Sequence, residues 1–289
     1  MADLKALKSR IGSINKTQKI TKAMKMVAAS KLRKAREAAE KARLYSDTLA
    51  EIIAKQANAQ SSNLERSVVY GALEPKRILL ILNSSDRGLC GGLNTNLVKF
   101  IVAKKKEYEN QGLEVKIWLI GKKANDQLKH ICPNNIFKHQ LGFSSKAIQY
   151  KDAKEISEEL VDLFVKAEID ICKIIYPFFS SAIAQEPKEL GLIPAEISDI
   201  SEDDGLEYDY EPDKEKLLDN LVPKNISIQL FQAFLETFAS EQGSRMTAMD
   251  NAVNNCTDLI KRLNLQYNRT RQAKITTELV EIISAAESI

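Results

Sequence analysis

Proline is absent from both ends of this 289-residue chain. All seven prolines lie between Pro75 and Pro223, and residues 224–289 contain a single glycine, Gly243. Proline breaks a helix and glycine weakens one, so their scarcity permits unusually long helices at both ends. The sequence therefore predicts two long terminal helices that bracket a compact middle.

Closely spaced cysteines and histidines are also missing. The four cysteines, Cys90, Cys132, Cys172 and Cys256, form no CxxC pair, and the chain has only two histidines. Zinc sites and disulfide-stapled folds require closer spacing of their ligands. We expect reduced thiols, no metal site and no cofactor. No arrangement of nucleophile, base and acid is present either, so we expect no catalytic residue.

Long apolar runs are absent too. No segment approaches the roughly 20 apolar residues that cross a bilayer, and the first ten residues, MADLKALKSR, lack the apolar core of a signal peptide. We expect the chain to remain in the compartment where it is made. The Met at position 1 and the lack of a transit peptide favour a bacterial protein.

Aromatic residues are lacking from the most basic part of the chain. Residues 1–43 hold 13 Lys and Arg, three acidic residues and no Phe, Tyr or Trp, whereas residues 199–215 hold nine acidic residues and one Lys. A basic helix can follow nucleic-acid phosphates, but aromatic interleaving is missing here. An acidic protein partner and a solvated helix face both fit the charge, and we expect no nucleic-acid partner.

A heptad repeat of apolar residues runs along residues 3–56 and predicts a helix packed against another helix. Its members are Leu4, Leu7, Ile11, Ile14, Ala28, Leu32, Ala35, Ala39, Ala42, Leu49 and Ile53. The register fails where polar residues take the seam positions: Gln18, Thr21 and Lys25. A rotated apolar stripe accompanies them: Ile20, Met24 and Val27. We interpret this break as a region that meets something other than its partner helix.

The C-terminal segment carries a matching apolar stripe at alternating steps of three and four residues. Its members are Met246, Met249, Val253, Cys256, Ile260, Leu263 and Tyr267. We expect this stripe to pair antiparallel with the N-terminal helix. From Ile275 to Ile289 the apolar residues leave the register. We therefore expect a tip that projects beyond Met1 and is sheltered by other chains.

The middle of the chain alternates apolar strands with helices. The predicted elements are a buried strand 77–83, a helix around 97–102, a strand 115–120, a short helix from 121, a helix 152–167, a strand 169–176 and an antiparallel edge 180–193. This alternation predicts an α/β fold with Rossmann-like topology. We divide the chain into an N-terminal coiled-coil helix (1–74), a central Rossmann-like α/β domain (75–212) and a C-terminal coiled-coil helix (213–289).

A glycine-rich turn follows the first of these strands. Backbone amides at such a turn can hold phosphate, but Gly88-x-x-Gly91-Gly92 has neither the dinucleotide nor the P-loop spacing. Lys122 and Lys123 stand where a ribose-binding acid is expected. We favour a tight structural turn, in which Asp86 and Arg87 cap the backbone or are paired, over a phosphate site.

Four motifs in order carry a resemblance to a known family. They are TQKITKAM at 17–24 with MVAASK at 26–31, DRGLCGGLN at 86–94, RMTAMD at 245–250, and YNRTRQA at 267–273 with EIIS at 281–284. In these motifs, and along its whole length, the chain resembles the gamma subunits of F-type ATP synthases.

The resemblance implies a rotor at the centre of a larger complex. The terminal helices would form a long antiparallel coiled coil inside a ring of three alpha and three beta subunits. The central domain would sit on the membrane c-ring with the epsilon subunit, at the cytoplasmic face of the inner membrane and peripheral to it. The chain itself would be non-catalytic, and would couple proton flow to ATP synthesis or hydrolysis at sites on beta.

The resemblance also implies roles for individual residues. Three would face the catalytic beta subunits: Met24, Arg271 and Gln272. Four match positions implicated in coupling: Arg245, Thr276, Glu278 and Glu281. Three match the contact with the membrane ring: Tyr208, Tyr210 and Glu211. The chain departs from the family pattern at Lys25, where an acid is common, and at Ala285, where glycine is usual.

The cysteine-paired regulatory insertion of the chloroplast members is missing, so we expect no thiol control. An alternative from the enzyme class remains open at this point. It is a nucleotide-binding α/β protein that uses its terminal helices for oligomerisation, and nucleotide binding by the isolated chain would distinguish the two.

Overall fold

The computed structural model describes residues 2–57, 66–68, 71–142, 148–194 and 214–287. By its internal contacts the chain divides into two compact units. The first, which we call the helical unit, comprises Met1–Ala29 and Arg245–Ile289. The second, which we call the sheet unit, comprises Ser30–Ser244. The division into three domains at 75 and 213 stays a prediction.

The two predicted terminal helices are confirmed. Helix α1 spans Ala2–Ala57 and helix α5 spans Lys214–Glu287. Helix α5 begins before the last proline and contains Pro223 in its interior. The Pro223 carbonyl accepts hydrogen bonds from the hydroxyls of Ser157 (3.0 Å) and Ser227 (2.8 Å). Side chains thus bind backbone oxygen near the point where proline removes a donor from the helix.

The remaining elements form the sheet unit. The strands are β1 (Arg66–Ser67), β2 (Gly71–Ala72), β3 (Arg77–Asn83), β4 (Glu114–Ile120), β5 (Ile136–Gln140), β6 (Ile171–Phe179) and β7 (Gln185–Ile193). The helices are α2 (Leu93–Asn110), α3 (Lys122–Ile131) and α4 (Tyr150–Val165), with a 3-10 turn at Pro133–Asn135. The predicted strands and helices all occur, but β5 and the short β1–β2 pair were not predicted from the sequence.

The main sheet has the strand order β5-β4-β3-β6-β7. Neighbouring strands from β5 to β6 are parallel, and β7 pairs antiparallel with β6. Numbered along the chain within the sheet, this order is 3-2-1-4-5, which is the order of a doubly wound Rossmann-type sheet. The α/β fold class with Rossmann-like topology is therefore confirmed.

Strand β3 is buried on both faces, which explains its continuous apolar sequence. Leu79 and Ile81 pack in a core cluster with residues of α4 and with the α5 residues Ile226 and Phe234. On the opposite face, residues 78, 80 and 82 pack in a second cluster with α2 and α3. The helices therefore cover the sheet on both sides, and part of α5 belongs to the core of the sheet unit.

Within the helical unit, α1 and α5 pair along the predicted stripe. Its buried members include Met249 and Leu263, each 5% exposed, and the other five are half-buried. Gln18 contacts Thr257 and Lys25 contacts Asp250, so seven residues forward in α1 correspond to seven residues back in α5. The pairing is therefore antiparallel, as predicted.

Candidate functional site

The polar seam residues of α1 face the partner helix. The Gln18 amide donates a hydrogen bond to the Thr257 hydroxyl (2.7 Å), and the Lys25 ammonium lies 2.5 Å from an Asp250 carboxylate oxygen. The interpretation that this region leaves its partner helix is therefore wrong for the seam. Polar side chains of α5 thus pair with Gln18 and Lys25 where apolar packing stops, while the Thr21 hydroxyl donates to the carbonyls of Thr17 and Gln18 within α1.

The rotated stripe lies instead on the outer face of the same helical segment. Ile20 is 60% exposed and Val27 is 56% exposed, while Met24 is half-buried. Met26 adds a further exposed apolar side chain. This part of α1 thus combines a polar seam towards α5 with an exposed apolar surface, which is suited to contact with another chain.

The last turns of α5 are exposed in the helical unit. Arg271, Gln272, Thr276, Glu278 and Glu281 are all exposed. Their resolved contacts are local, since the Thr276 hydroxyl donates to the Gln272 carbonyl (3.0 Å) and Glu278 lies 3.5 Å from Lys274. Exposed apolar side chains share this segment: Ile275, Leu279, Val280, Ile282 and Ile283. The structure therefore brings five predicted site residues together on one accessible stretch of helix.

Arg245 differs from the other predicted coupling residues because it is buried, at 9% exposed. It ends a segment of α5 in which buried polar residues are dense: Glu236, Thr237, Ser240, Glu241, Gln242, Ser244 and Arg245. The three predicted membrane-ring residues, Tyr208, Tyr210 and Glu211, lie outside the described residues, as does the side chain of Ala285.

Four of the buried polar residues of α5 make hydrogen bonds within the sheet unit. We call these four, Glu236, Thr237, Ser240 and Ser244, the polar stripe. The Ser240 hydroxyl donates to the carbonyl of Pro177 (2.9 Å), and the Ser244 hydroxyl donates to the carbonyl of Cys90 (2.6 Å). Thr237 accepts from the Asn83 amide (2.8 Å), and Glu236 accepts from the backbone N–H of Phe179 (3.1 Å). Their spacing places them on one side of the helix.

The polar stripe binds the carboxyl edge of the sheet. Asn83 ends β3, and Cys90 lies in the glycine-rich turn that follows it. Pro177 and Phe179 lie among the last three residues of β6. In open α/β sheets this edge is where nucleotides bind. Here α5 lies against it, so protein side chains fill the hydrogen-bonding positions that a ligand would use.

In the glycine-rich turn Asp86 caps the backbone, as favoured from the sequence. Asp86 accepts hydrogen bonds from the backbone N–H groups of Lys122 (3.1 Å) and Gly142 (2.8 Å). Gly121, the residue before α3, has a φ of +104°, and a Cβ there would lie 2.3 Å from the Ser84 carbonyl oxygen. The turn after β3 and the start of α3 are thus packed against each other too closely to admit a side chain at residue 121.

The polar stripe was missed by sequence reasoning, although one signal marks it. A polar run inside a predicted helix is typical of a solvated face, and the pattern gives no reason to bury it. Gly243 is the exception, because glycine costs about 1 kcal/mol in a helix interior. A Cβ at Gly243 would lie 3.1 Å from the Phe179 ring. The single glycine of this helix therefore marks a place where the helix closely approaches the end of β6.

All four cysteines are free thiols, and Cys90, Cys132 and Cys172 are buried. Burial raises the pKa of the Cys172 thiol well above its ordinary range, which disfavours the reactive thiolate. Among the described residues, no group of three His, Cys, Asp or Glu side chains could hold a metal ion. Within that same part of the chain, no helix has the length and apolarity that a membrane span requires.

Comparisons with known proteins place these features in a family. A family model described as ATP synthase matches residues 3–289. The chain is 46% identical over 291 residues to the ATP synthase gamma chain of Pelagibacter ubique. It is 45% identical over 290 residues to that of Paracoccus denitrificans. Both alignments cover 100% of this chain and 100% of the relative.

Solved structures agree with this assignment of the fold. A chain in the cryo-EM structure of the Tetrahymena thermophila mitochondrial ATP synthase central stalk and c-ring is 26% identical, with a TM-score of 0.61 over 81% of this chain and 99% of that chain. A chain in the Euglena gracilis mitochondrial ATP synthase, in rotational state 3, has a TM-score of 0.70 over 99% of this chain and 94% of that chain. Its identity is 21%, so this second likeness concerns the fold alone.

Proposed function

Because the chain belongs to the ATP synthase gamma chain family, and is thus a rotor subunit of an F-type ATP synthase, we propose that it transmits torque between proton flow in the membrane and ATP chemistry on the beta subunits. Its partners are the alpha and beta subunits, the epsilon subunit and the membrane c-ring. The family membership rests on the match over residues 3–289 and on 46% identity along the full chain.

The observation that carries the mechanism is the continuity of α5. One helix, Lys214–Glu287, contains both the polar stripe that binds the sheet edge and the exposed segment beyond residue 270. A continuous helix transmits rotation along its length better than a jointed linker does, and residues 224–287 of α5, beyond Pro223, contain no proline that would remove a backbone hydrogen bond. Rotation of the sheet unit is therefore carried into the segment that meets the catalytic ring.

The exposed surface of the helical unit suits a rotating contact. A rotor that passes equivalent partners in turn must not bind any of them too tightly. The exposed Ile20, Met26 and Val27 lie on a helix rich in Lys and Arg, so apolar and charged contacts are mixed. Each orientation of this asymmetric surface favours a different conformation of a beta subunit, which is the differential interaction that any coupled change requires.

We assign the residues of this surface by family resemblance. Met24, Arg271 and Gln272 contact beta subunits, and Arg245, Thr276, Glu278 and Glu281 act in coupling. Tyr208, Tyr210 and Glu211 contact the membrane ring. The exposure of five of these residues on α5 supports contact with other chains. The burial of Arg245 favours an indirect role, in which it positions α5 and does not touch a partner.

The chain is a non-catalytic subunit in this proposal, located at the cytoplasmic face of a bacterial inner membrane and peripheral to it. The relatives that share 45–46% identity are bacterial. The nucleotide-binding alternative is disfavoured, because the crevice at the carboxyl edge of β3 and β6 is taken up by α5.

Co-expression with alpha and beta subunits tests the proposal. We expect the chain to co-purify with them in a complex that hydrolyses ATP and rotates a bead attached to the sheet unit. The same alpha and beta subunits expressed without the chain serve as the control and should show no directed rotation. Failure of the wild-type chain to enter such a complex would overturn the proposed function.

A further inference from the structure

One acidic side chain joins three elements of the sheet unit. Glu236, on α5, is fully buried and its carboxylate has two separate partners. One oxygen accepts a hydrogen bond from the Arg43 guanidinium on α1, and the other accepts from the Phe179 backbone N–H at the end of β6 (3.1 Å). We call Glu236, Arg43 and the end of β6 the junction.

Arg43 is held in place by a second interaction. Its guanidinium lies over the ring of Phe178 at 5.0 Å from the ring centroid, and the ammonium of Lys188 lies 5.1 Å from the same centroid. Phe178 pairs with Glu186 across β6 and β7, so the ring belongs to the sheet. Arg43 therefore binds both α5, through Glu236, and the sheet, through Phe178. These contacts fix its orientation as well as its position.

Burying the charge of Glu236 is a costly way to hold two helices together, because its side chain is fully buried while that of Arg43 stays 40% exposed. Apolar packing of the same volume often stabilises a fold as well or better. Apolar contacts, however, are non-directional, whereas hydrogen bonds depend on the angle between their groups. Hydrogen bonds weaken steeply when their angle changes, so a carboxylate that accepts one bond from α1 and one from the end of β6 resists rotation of α5 against the sheet. The junction is therefore better suited to resisting rotation of α5 against the sheet than to stabilising the fold.

We propose that Glu236 and Arg43 are positioning residues that lock both terminal helices to the sheet, so that torque passes between them without slip. This rests on the proposed function as a rotor. The polar stripe supports the lock, because Thr237, Ser240 and Ser244 bind the same sheet edge. The role concerns rotational stiffness, and neither residue needs to touch a nucleotide or a partner subunit.

The test measures rotational stiffness in the complete complex of this chain with alpha and beta subunits. A bead is attached to the sheet unit through Lys129→Cys, a substitution at an exposed position. The angular variance of the bead is recorded while the complex pauses for ATP. We expect Glu236→Gln, which keeps the shape but removes the charge, to raise the variance at least twofold. Arg43→Lys keeps the positive charge but lacks the planar guanidinium group, so it should raise the angular variance by a smaller factor.

Two control variants separate the junction from other effects. Glu40→Gln removes an exposed acid of α1 that pairs only with a neighbour on the same helix, Arg36, and should leave the variance unchanged. Leu97→Ala opens a cavity in the core beside α2 and should lower the melting temperature without changing the variance. A general loss of stability is thereby distinguished from a loss of stiffness.

The outcomes distinguish a failure of the junction from a failure of the proposed function. A wild-type variance in Glu236→Gln overturns the junction while the proposed function stands. If Glu236→Gln does not assemble, Arg43→Lys decides alone, and an unchanged variance in that variant overturns the junction. If the wild-type complex itself does not rotate, the proposed function fails. A raised variance in both junction variants and in neither control supports the lock.

Discussion

At the scale of single residues, the half-buried Glu189 shows how neighbouring groups in the sheet unit keep a carboxylate charged. Glu189 on β7 accepts hydrogen bonds from the Lys173 ammonium (2.7 Å) and from the Tyr108 hydroxyl. Lys173 also donates to the Tyr108 oxygen (2.9 Å) and lies over its ring. Burial by itself raises the pKa of Glu189, but the hydrogen bonds from Lys173 and Tyr108 outweigh burial and hold the pKa below its ordinary value of 4.5.

This lowered pKa predicts how stability depends on pH. A carboxyl group whose pKa is lower in the folded state stabilises the fold above its unfolded pKa, and this contribution is lost as the pH falls through the folded value. We expect Glu189→Gln to lower the free energy of unfolding by roughly 1–3 kcal/mol at pH 7. The difference from the wild type should shrink below pH 4.5. Urea titrations at the two pH values measure it.

A matched control for this prediction lies on the same strand. Glu186 is exposed, so Glu186→Gln removes the same charge from β7 without opening the buried cluster. Its effect on unfolding should be small at both pH values. A Glu189→Gln deficit that grows as the pH falls would contradict the assigned direction of the pKa shift.

At the scale of elements, the pairing of α1 with α5 depends on a narrow stripe of buried residues. Leu263 is 5% exposed, whereas Leu265, two residues on, is 63% exposed. Since successive residues of a helix point about 100° apart, two leucines this close in sequence can lie in very different surroundings. The polar contacts at Gln18 and Lys25 contribute less to the stability of this pairing than the buried stripe does. Exposed ion pairs such as Lys25–Asp250 typically contribute less than about 1 kcal/mol.

We therefore expect Leu263→Asp to disrupt the helical unit. A charge placed at this position would be buried, and burying an unpaired charge costs about 3–5 kcal/mol before the helices relax. Leu265→Asp provides the control, because the new charge would be solvated. Far-UV circular dichroism on heating should show an early loss of helix for Leu263→Asp alone. Co-purification with alpha and beta subunits should fail for the same variant. Normal assembly and coupling of Leu263→Asp would show that the seam is wrongly assigned.

At the scale of the whole molecule, a sheet with Rossmann-type strand order binds a helix at the edge where related folds bind nucleotides. Asn83 ends, and Ser84 follows, the strand that leads into a phosphate-binding turn in an enzyme of this topology. Here Asn83 donates to Thr237, and the turn carbonyl of Cys90 accepts from Ser244. The hydrogen-bonding groups of the sheet edge are thus used to hold α5.

The isolated chain should consequently neither bind nor hydrolyse ATP. Isothermal calorimetry with MgATP should give no heat of binding at micromolar concentrations, since side chains of α5 take up hydrogen-bonding groups at the sheet edge where a nucleotide would bind. The complex with alpha and beta subunits is the positive control and should bind nucleotide. Micromolar affinity of the chain alone would restore the nucleotide-binding alternative.

The sequence alone determined the long helices, the α/β class with Rossmann-like topology and the family resemblance. Missing prolines permit α1 and α5, and a continuous apolar run requires a strand buried on both faces, because such signals lie within neighbouring residues. Strand β5 was missed, since Ile136–Gln140 is short, lies at a sheet edge and mixes apolar with polar residues.

Only the tertiary structure decided where the polar residues of the helices lie. Asn83 and Thr237 are 154 positions apart, and Arg43 and Glu236 are 193 positions apart. A local pattern places such residues in solvent, because it contains no information about a distant partner that satisfies their hydrogen bonds. The seam at Gln18 and Lys25 was misinterpreted for the same reason. The sheet edge and the facing helix, brought together by folding, make burial of these groups favourable.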